Sequence, residues 1–263
     1  MLPLERQKWI ENKVLTIGKV DIEELSETLQ VSAMTIRRDL SELEKEGKAI
    51  RTHGGAISPS FLIQETPYSS KESQNISEKK AIARKAVTLI PEHSTIILDS
   101  GTTTLEVAKL LVDRDDITII TNDIKIAVEL LESKVKVIVT GGELQRGVGG
   151  LYGPLTQGVL KNIHVDIFFL GAHAISLKEG ITSPTFEKSL IKKLMIEAAE
   201  STWLLADSQK FKKKAFSLVC EISSLEGIIT DSGLEIEKRR KYEEQVPLLI
   251  AGGEEDEGRS NSR

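Results

Sequence analysis

Two adjacent arginines stand in the segment VSAMTIRRDL, residues 31–40, of a chain whose formal net charge is -5 at pH 7. Arg37 and Arg38 follow Ser32, a residue type that caps helix N-termini. A guanidinium group forms paired hydrogen bonds with guanine or with phosphate. In the first turns of an exposed helix, these arginines predict contact with nucleic acid. The open alternative is that Arg38 pairs with Glu42 one helical turn along.

A second polar segment, DSGTTT, directly follows the apolar run TIIL. Between a strand and a helix, such a segment offers hydroxyl groups and free backbone N–H groups that bind phosphate. Without a ligand it would be a threonine-capped helix after a glycine turn, and this alternative also stays open. The residues predicted to bind an effector here are Asp99, Ser100, Gly101, Thr102, Thr103 and Thr104.

Small polar residues also follow the next apolar runs of the chain. Thr121 and Asn122 end one such run, and Gly141 and Gly142 follow another. In open α/β sheets the carboxyl ends of the strands face the ligand crevice. We therefore expect these residues to lie near the DSGTTT segment, although each pair also occurs in ordinary turns.

The arginines require a helix with one buried face. Residues 1–57 read as three short helices followed by a hairpin, and Asp21 and Ser32 are predicted to cap the second and third helices. Ile36, Leu40 and Leu43 recur at helical spacing and predict the buried face of the third helix. Its outward face then carries Met34, Thr35, Arg38 and Ser41, with Arg37 at its flank.

A short hairpin is predicted next to this helix, because Lys48–His53 is an extended stretch that ends at two glycines. Such a wing can contact the DNA backbone beside the helix. The residues predicted to contact DNA are Ser32, Met34, Thr35, Arg37, Arg38, Lys48, Arg51 and His53.

The remainder predicts an α/β fold with a mostly parallel sheet, since seven apolar runs alternate with amphipathic helices. The runs are TIILD, ITIIT, VKVIVT, VDIFFL, TWLLAD, GIIT and PLLIA. We predict a DNA-binding domain at 1–57, a linker at 58–76, an effector-sensing domain at 77–251 and a disordered acidic tail at 252–263.

The ordered motifs of the N-terminal region resemble the signature of the deoxyribose-operon repressor (DeoR) family of bacterial transcription regulators. They are VS at 31–32, TIRRDL at 35–40, LE at 43–44 and HGGA at 53–56. The resemblance continues through DSGTTT, TNDIKIA, TGGEL, DIFFLGA and LLADSQKF. It implies a winged helix-turn-helix domain followed by a sensor domain similar to ribose-5-phosphate isomerase, with a phosphorylated sugar as effector.

The same resemblance implies that Lys192 and Lys210 are basic effector-binding residues and that Asp207 is the acidic one. Each lysine could instead be a solvated helix residue. The chain departs from the family pattern at His173, which follows Gly-Ala, and at Lys212, where a glycine is common.

Composition argues against disulfide, metal and membrane-spanning chemistry. One cysteine, Cys220, and four scattered histidines predict neither an internal disulfide nor a metal site, and we expect no cofactor. The chain contains no apolar run long enough for a membrane span and no signal-peptide pattern at its start, so we expect no membrane partner and a cytoplasmic location.

These features predict a transcriptional repressor of a carbohydrate operon that is not an enzyme. Its expected partners are operator DNA, a phosphorylated sugar and further copies of itself in a homo-oligomer. One alternative is a sugar-phosphate isomerase with an accessory DNA-binding module. Isomerisation needs a carboxylate base, but the matching stretch Leu170–Ala174 has none. A DNA-binding protein without an effector would leave the polar strand ends unexplained.

Overall fold

The computed structural model describes residues 2–52, 54–58 and 68–252, and the chain divides into two compact units, Met1–Thr66 and Pro67–Arg263. The elements of the first unit are α1 (Pro3–Ile17), β1 (Lys19–Asp21), α2 (Ile22–Leu29), α3 (Ala33–Lys45), β2 (Ile50–Thr52) and β3 (Gly55–Ile57). The predicted hairpin belongs to a three-stranded antiparallel sheet in the order β1–β3–β2.

The first unit is built around one small apolar core. Ile36, Leu40 and Leu43 are buried in it, as their spacing predicts. The predicted helix caps are also confirmed: the Asp21 carboxylate accepts the N–H of Glu23 at 2.8 Å, and the Ser32 hydroxyl accepts the N–H of Thr35 at 3.2 Å.

Gly55 is required where β3 contacts β1. A Cβ atom on Gly55 would lie 1.9 Å from the carbonyl oxygen of Val20, so no other residue fits without moving the strand. The glycine pair after α3 therefore does more than turn the hairpin, because Gly55 also allows β3 to pair with β1.

The second unit has an α/β fold. Its helices are α4 (Tyr68–Ser73), α5 (Ile76–Val87), α6 (Thr102–Lys109), α7 (Ile124–Glu129), α8 (Pro154–Leu160), α9 (Phe186–Ala198) and α10 (Ile236–Glu243). Its strands are β4 (Thr95–Leu98), β5 (Thr118–Thr121), β6 (Lys136–Val139), β7 (Glu143–Leu144), β8 (Leu151–Tyr152), β9 (Val165–Gly171), β10 (Ala174–Ser176), β11 (Gly180–Ser183), β12 (Ala199–Leu205), β13 (Ser217–Cys220), β14 (Gly227–Asp231) and β15 (Leu248–Ala251).

The seven predicted strands form one sheet in the order β15–β14–β12–β9–β4–β5–β6, and every neighbouring pair is parallel. Apolar clusters cover both faces: Phe168 packs into one and Phe169 into the other, and both are fully buried. The predicted α/β fold is confirmed. The small antiparallel sheets β10–β11–β13 and β7–β8 were outside the prediction, because their strands are short and lack a continuous apolar run.

The linker predicted at 58–76 contains helix α4, so the sensor unit begins earlier than the sequence suggests. Burial of Tyr68 anchors this helix, and a single aromatic residue among serines gives no helical periodicity to detect. Residues 59–67 and 253–263, in the predicted linker and tail, lie outside the described residues. Within the described chain, no helix has the length and apolar character that a membrane-spanning segment requires.

Candidate functional site

The first turns of α3 present an exposed face. The Met34 side chain is 71% exposed, and Arg37 and Arg38 are also exposed. Among the described residues, neither arginine forms an ion pair or a hydrogen bond. Glu42 instead bonds the Lys45 ammonium at 2.9 Å, so the alternative pairing of Arg38 with Glu42 is absent from the described contacts. Both guanidinium groups are available to an incoming partner.

The cations near the wing differ in their surroundings. Arg51, on β2, donates a hydrogen bond to the Ser41 hydroxyl at 2.8 Å, which holds it beside α3. Lys48 lies before β2 and pairs with Glu46 at 2.9 Å and Glu11 at 3.1 Å. Hydrogen bonds to these two carboxylates raise the pKa of Lys48. The structure therefore neutralises a lysine that the sequence places on the wing.

A buried ion pair on the inward side of α3 holds this helix in position. The Arg6 guanidinium bonds the Asp39 carboxylate at 2.6 and 3.3 Å, and Gln7 donates to the same carboxylate at 3.3 Å. These bonds join α1 to α3 under the exposed arginines, beside a concave surface of about 700 Å³ that Arg37, Arg38 and Arg51 also line. His53, the remaining predicted contact, lies outside the described residues.

In the second unit, the sheet order brings the predicted polar residues to one edge. The strands β12, β9, β4, β5 and β6 are successive neighbours, and their carboxyl ends precede Asp207, Ala172, Asp99, Asn122 and Thr140. Because these strands are all parallel, this edge is the crevice side that open α/β sheets use for ligands.

Asp99 and Lys192 form a buried ion pair at the centre of this edge. The Lys192 ammonium also donates to the carbonyl of Gly171 at 2.9 Å, and the Gly171 N–H donates to Asp99 at 2.9 Å. The two predicted effector residues thus neutralise each other and tie α9 to β4 and β9. This arrangement makes the pair a support for the edge.

Ser100 connects the first two strand ends. Its hydroxyl donates to the carboxylate of Asp123 at 2.7 Å. Asp123 caps α7 by accepting the N–H of Lys125 at 2.7 Å, and burial raises its pKa. Thr121 is fully buried, and its hydroxyl donates to the carbonyl of Leu98 at 2.8 Å. Thr121 therefore holds β5 to β4.

The start of α6 has groups left for a ligand. Gly101 caps this helix through its backbone, without a side-chain bond, and its φ of -177° is an extended value that any residue adopts. A Cβ at Gly101 would instead approach the Thr104 hydroxyl at 3.2 Å. Thr104 is fully buried and donates to the carbonyls of Asp99 and Gly101. Among the described residues, the hydroxyls of Thr102 and Thr103 make no hydrogen bond.

Asn122, Gly141 and Gly142 lie where β5 and β6 end, on the opposite side of the carboxyl edge from β12. Gly142 has a φ of +119°, and a Cβ there would lie 2.3 Å from the carbonyl oxygen of Tyr152. Gly141, with a φ of +70°, accepts the Thr156 hydroxyl at 2.6 Å through its carbonyl. The Asn122 amide donates to the carbonyl of Leu151 at 3.1 Å, and its buried Oδ1 atom has no partner among the described residues.

Asp207 and Lys210 lie at the carboxyl end of β12, and two further residues join them that the sequence reasoning missed. Asn75 donates to the Asp207 carboxylate at 3.1 Å. Lys79 is 4% exposed, and its charge interacts with both Asp207 and Lys210. Both missed residues belong to the region around the predicted linker, where no motif indicated a function. Asp123 belongs to the TNDIKIA motif, but the sequence reasoning did not include it among the effector-binding residues.

Among the described residues, no cluster of His, Cys, Asp and Glu could hold a metal ion. Cys220 is a free cysteine, and burial raises its pKa to about 12. Such a thiol is almost fully protonated at neutral pH and is a poor nucleophile.

A winged helix-turn-helix unit with exposed arginines, joined to an α/β unit with a polar strand edge, defines a DNA-binding regulator with a sensor domain. The DeoR-like helix-turn-helix domain model matches residues 6–61, and the DeoR C terminal sensor domain model matches residues 74–232. This chain belongs to the DeoR family of transcriptional regulators. It is therefore a regulator and not an enzyme.

The chain is similar to other regulators over almost its whole length. It is 35% identical to the HTH-type transcriptional regulator GlpR of Haloferax volcanii over 252 residues, 96% of this chain and 99% of that protein. It is 35% identical to the putative aga operon transcriptional repressor of Escherichia coli O157:H7, over 93% of each chain. Ribose 5-phosphate isomerase A of Methanocaldococcus jannaschii shares 17% identity and a TM-score of 0.40, over 52% of this chain and 55% of that one.

Proposed function

We propose that this regulator represses a carbohydrate operon, reads its operator through α3 and the wing, and responds to a phosphorylated sugar at the carboxyl edge of its seven-stranded sheet. The names of its relatives, among them an aga operon repressor, support the carbohydrate assignment. The observation that carries the DNA-binding half is the pair of exposed arginines in the first turns of α3, which have no partner in the part of the chain that the structure describes. The effector half rests on the start of α6, where no side chain of the N-cap residue Gly101 occupies the free N–H groups.

Arg37 and Arg38 are the proposed contacts to bases and phosphate, with Met34 and Thr35 on the same face and Ser32 at the helix N-terminus. In this class of domain the N-terminal residues of the second helix of the motif reach the base edges. Arg51 lies beside them, bonded to Ser41. Lys48 is a weaker candidate, since two glutamates neutralise it.

Replacing Arg38 tests this surface. Arg38→Ala should weaken operator binding by about 1–3 kcal/mol, because an arginine at a base edge contributes that much. Operator DNA would first be selected from random duplexes by the full-length protein and then titrated by fluorescence anisotropy at fixed salt. Lys45→Ala, near the end of the same helix, is the matched control. Equal affinity of wild type and Arg38→Ala would exclude Arg38 from the interface.

The effector phosphate is proposed to bind the N–H groups and hydroxyls at residues 102–104, with Lys210, after the carboxyl end of β12, as the proposed cation. A helix start of this kind binds phosphate through free N–H groups and the helix dipole. The Asp99–Lys192 ion pair holds β4, β9 and α9 together at this edge. Sugar hydroxyl groups would lie toward Asn122, whose Oδ1 atom can accept a hydrogen bond.

A thermal-shift screen of phosphorylated trioses, pentoses, hexoses and amino sugars tests the effector site, because a ligand that binds the folded state raises the melting temperature. Thr103→Ala and Gly101→Val should lose the shift that wild type shows with the best compound. Thr118→Ala, at the amino end of β5, should keep it. A full shift in both loop variants would place the effector elsewhere.

We also propose that the regulator acts in the cytoplasm as a homo-oligomer. Operators of this class of protein are commonly two-fold symmetric, so two copies of α3 would occupy successive major grooves about 34 Å apart. Light scattering coupled to size-exclusion chromatography measures the mass directly. A monomeric mass in both the presence and the absence of operator DNA would contradict the oligomer.

A further inference from the structure

Helix α4 is the first described element after residues 59–67, the segment that leads from the DNA-binding unit into the sensor unit. Its first residue, Tyr68, is 4% exposed. The N–H of Tyr68 donates to the carbonyl of Gly147 at 3.4 Å, and the ammonium group of Lys125 lies over the tyrosine ring. The start of α4 is therefore fixed against the sensor unit by a buried aromatic ring and a cation.

A buried lysine fixes the other end of α4. Lys79, on α5, donates to the carbonyl oxygen of Lys71, within α4, and to that of Gln74, just after the helix, the latter at 2.5 Å. A cation at a helix C-terminus satisfies free carbonyl groups and interacts favourably with the helix dipole. Among the described residues, Lys79 forms no ion pair, although it is almost fully buried. Its hydrogen bonds among these residues go to the C-terminal end of α4.

Both attachments of α4 contact the proposed effector edge. Lys125 follows Asp123, which accepts the Ser100 hydroxyl. The charge of Lys79 interacts with Asp207 and with Lys210, and burial lowers its pKa. A further link is Asn75, between α4 and α5, whose amide donates to Asp207. An anion bound beside Lys210 would therefore change the electrostatic environment of Lys79.

We propose that α4 is the element through which the effector acts on the DNA-binding unit, with Lys79 as the positioning residue that the effector phosphate displaces. This inference rests on the effector site proposed above. N–H groups bond charged acceptors more strongly than neutral ones, so a phosphate near Lys210 competes with the carbonyl groups of α4 for the Lys79 ammonium. When Lys79 turns to the phosphate, the C-terminal end of α4 is released, and the segment that follows the DNA-binding unit loses its attachment.

The test compares wild type with Lys79→Met, which removes the charge but keeps a long side chain. Lys80→Met is the matched control, because Lys80 is the next residue of α5 and is exposed. Hydrogen exchange of the α4 amides is measured in the full-length protein, with and without a saturating amount of the phosphorylated sugar that gives the largest thermal shift. Operator affinity is measured under the same two conditions, and calorimetry shows whether the sugar phosphate binds each variant.

In wild type and Lys80→Met, the sugar phosphate should speed α4 exchange at least tenfold and change operator affinity. In Lys79→Met, α4 should exchange at the fast rate without any ligand, and operator affinity should already equal that of ligand-saturated wild type. Added sugar phosphate should then change its operator affinity less than twofold, although calorimetry shows that it binds. A normal ligand response of operator affinity in Lys79→Met, or α4 exchange as slow as in wild type, would overturn the proposal.

Failure of the effector proposal is distinguishable from failure of this one. If calorimetry shows no sugar phosphate binding to wild type, the proposed effector site is wrong. The role of α4 is then tested by measuring α4 exchange with operator DNA alone. Coupling is reciprocal, so DNA selected by the protein should change α4 exchange in wild type and in Lys80→Met, but not in Lys79→Met. Identical α4 exchange with and without DNA in all three proteins would overturn the proposal on its own.

Discussion

At the scale of single residues, the exposed arginines of α3 depend on a buried neighbour. Asp39 follows Arg38 in the chain but faces inward, where it binds Arg6 and Gln7 of α1. The RRD sequence therefore combines two outward cations with one inward anion. The anion fixes the helix that carries the cations, which explains how a unit with nine basic and ten acidic residues in its first 60 positions can still present positive charge locally.

Asp39→Ala should lower the free energy of unfolding of the first unit by about 3 kcal/mol, because it leaves the Arg6 charge buried without its carboxylate. Urea unfolding followed by Trp9 fluorescence measures this in a Trp203→Phe background. Glu42→Ala, which breaks an exposed pair on the same helix, should change stability by less than about 0.5 kcal/mol. Equal effects of the two substitutions would show that the Arg6–Asp39 pair does not hold α1 to α3.

Lys212 is a residue-scale departure from the family pattern with a physical cost. Its φ is 56°, in the left-handed region, where glycine is favoured. A glycine, which the resemblance to the family implies at this position, would adopt this φ without strain. Lys212→Gly should raise the free energy of unfolding of the sensor unit by about 0.5–1 kcal/mol, as relief of backbone strain exceeds the entropic cost of glycine.

Thermal and urea unfolding of the full chain measure this gain. Lys214→Gly is the control, since Lys214 has no positive φ and should gain nothing from glycine. Destabilisation by Lys212→Gly to the same extent as by Lys214→Gly would mean that the lysine side chain makes contacts worth more than the strain.

At the scale of elements, the parallel sheet is held from both faces. Phe168 and Phe169 are successive residues of β9 and are both fully buried in different apolar clusters. Each replacement by alanine should therefore cost about 3–5 kcal/mol of sensor stability. Phe186→Ala, at a side chain that is 69% exposed, should cost less than about 1 kcal/mol. A tolerated change at either Phe168 or Phe169 would mean that one face of the sheet is poorly covered.

The elements that the sequence predicted well are those with a strong local signal. Seven apolar runs identify the seven strands, and the caps at Asp21 and Ser32 mark two helix starts because capping uses residues close in the chain. Helix α4 and strand β1 were missed, since β1 has three residues and α4 has six, with no periodic pattern. Their stability comes from tertiary contacts, which sequence patterns do not report.

The same limit applies to the candidate site. The sequence of the DSGTTT segment predicts its position at a strand end. It does not predict which partner each of its side chains bonds. Thr104 and Thr121 turned out to bond the backbone, and Lys192 turned out to pair with Asp99. These outcomes depend on residues between 5 and 93 positions apart, which only the fold brings together.

At the scale of the whole molecule, the proposed DNA contacts of this acidic chain involve few charges. In the first unit the lysines near α3 are paired with glutamates: Lys45 with Glu42, and Lys48 with Glu11 and Glu46. Three exposed cations on the α3 face and β2 form no ion pair among the described residues: Arg37, Arg38 and Arg51. If these arginines supply the DNA contacts, non-specific attachment to DNA phosphate should be weak, and a small number of well-placed contacts should recognise the operator.

This charge distribution predicts a shallow dependence of operator binding on salt. Each neutralised phosphate contributes about -0.9 to the slope of log K against log salt concentration, so three arginines give a slope no steeper than about -2.7 per bound DNA-binding unit. Fluorescence anisotropy titrations at several salt concentrations measure it. Arg37→Ala should make the slope shallower by about 0.9 if Arg37 contacts phosphate, and Lys45→Ala should leave it unchanged. A slope steeper than about -5 per unit would mean that cations beyond these three bind DNA, and local placement of a few arginines would no longer explain how this acidic protein reads its operator.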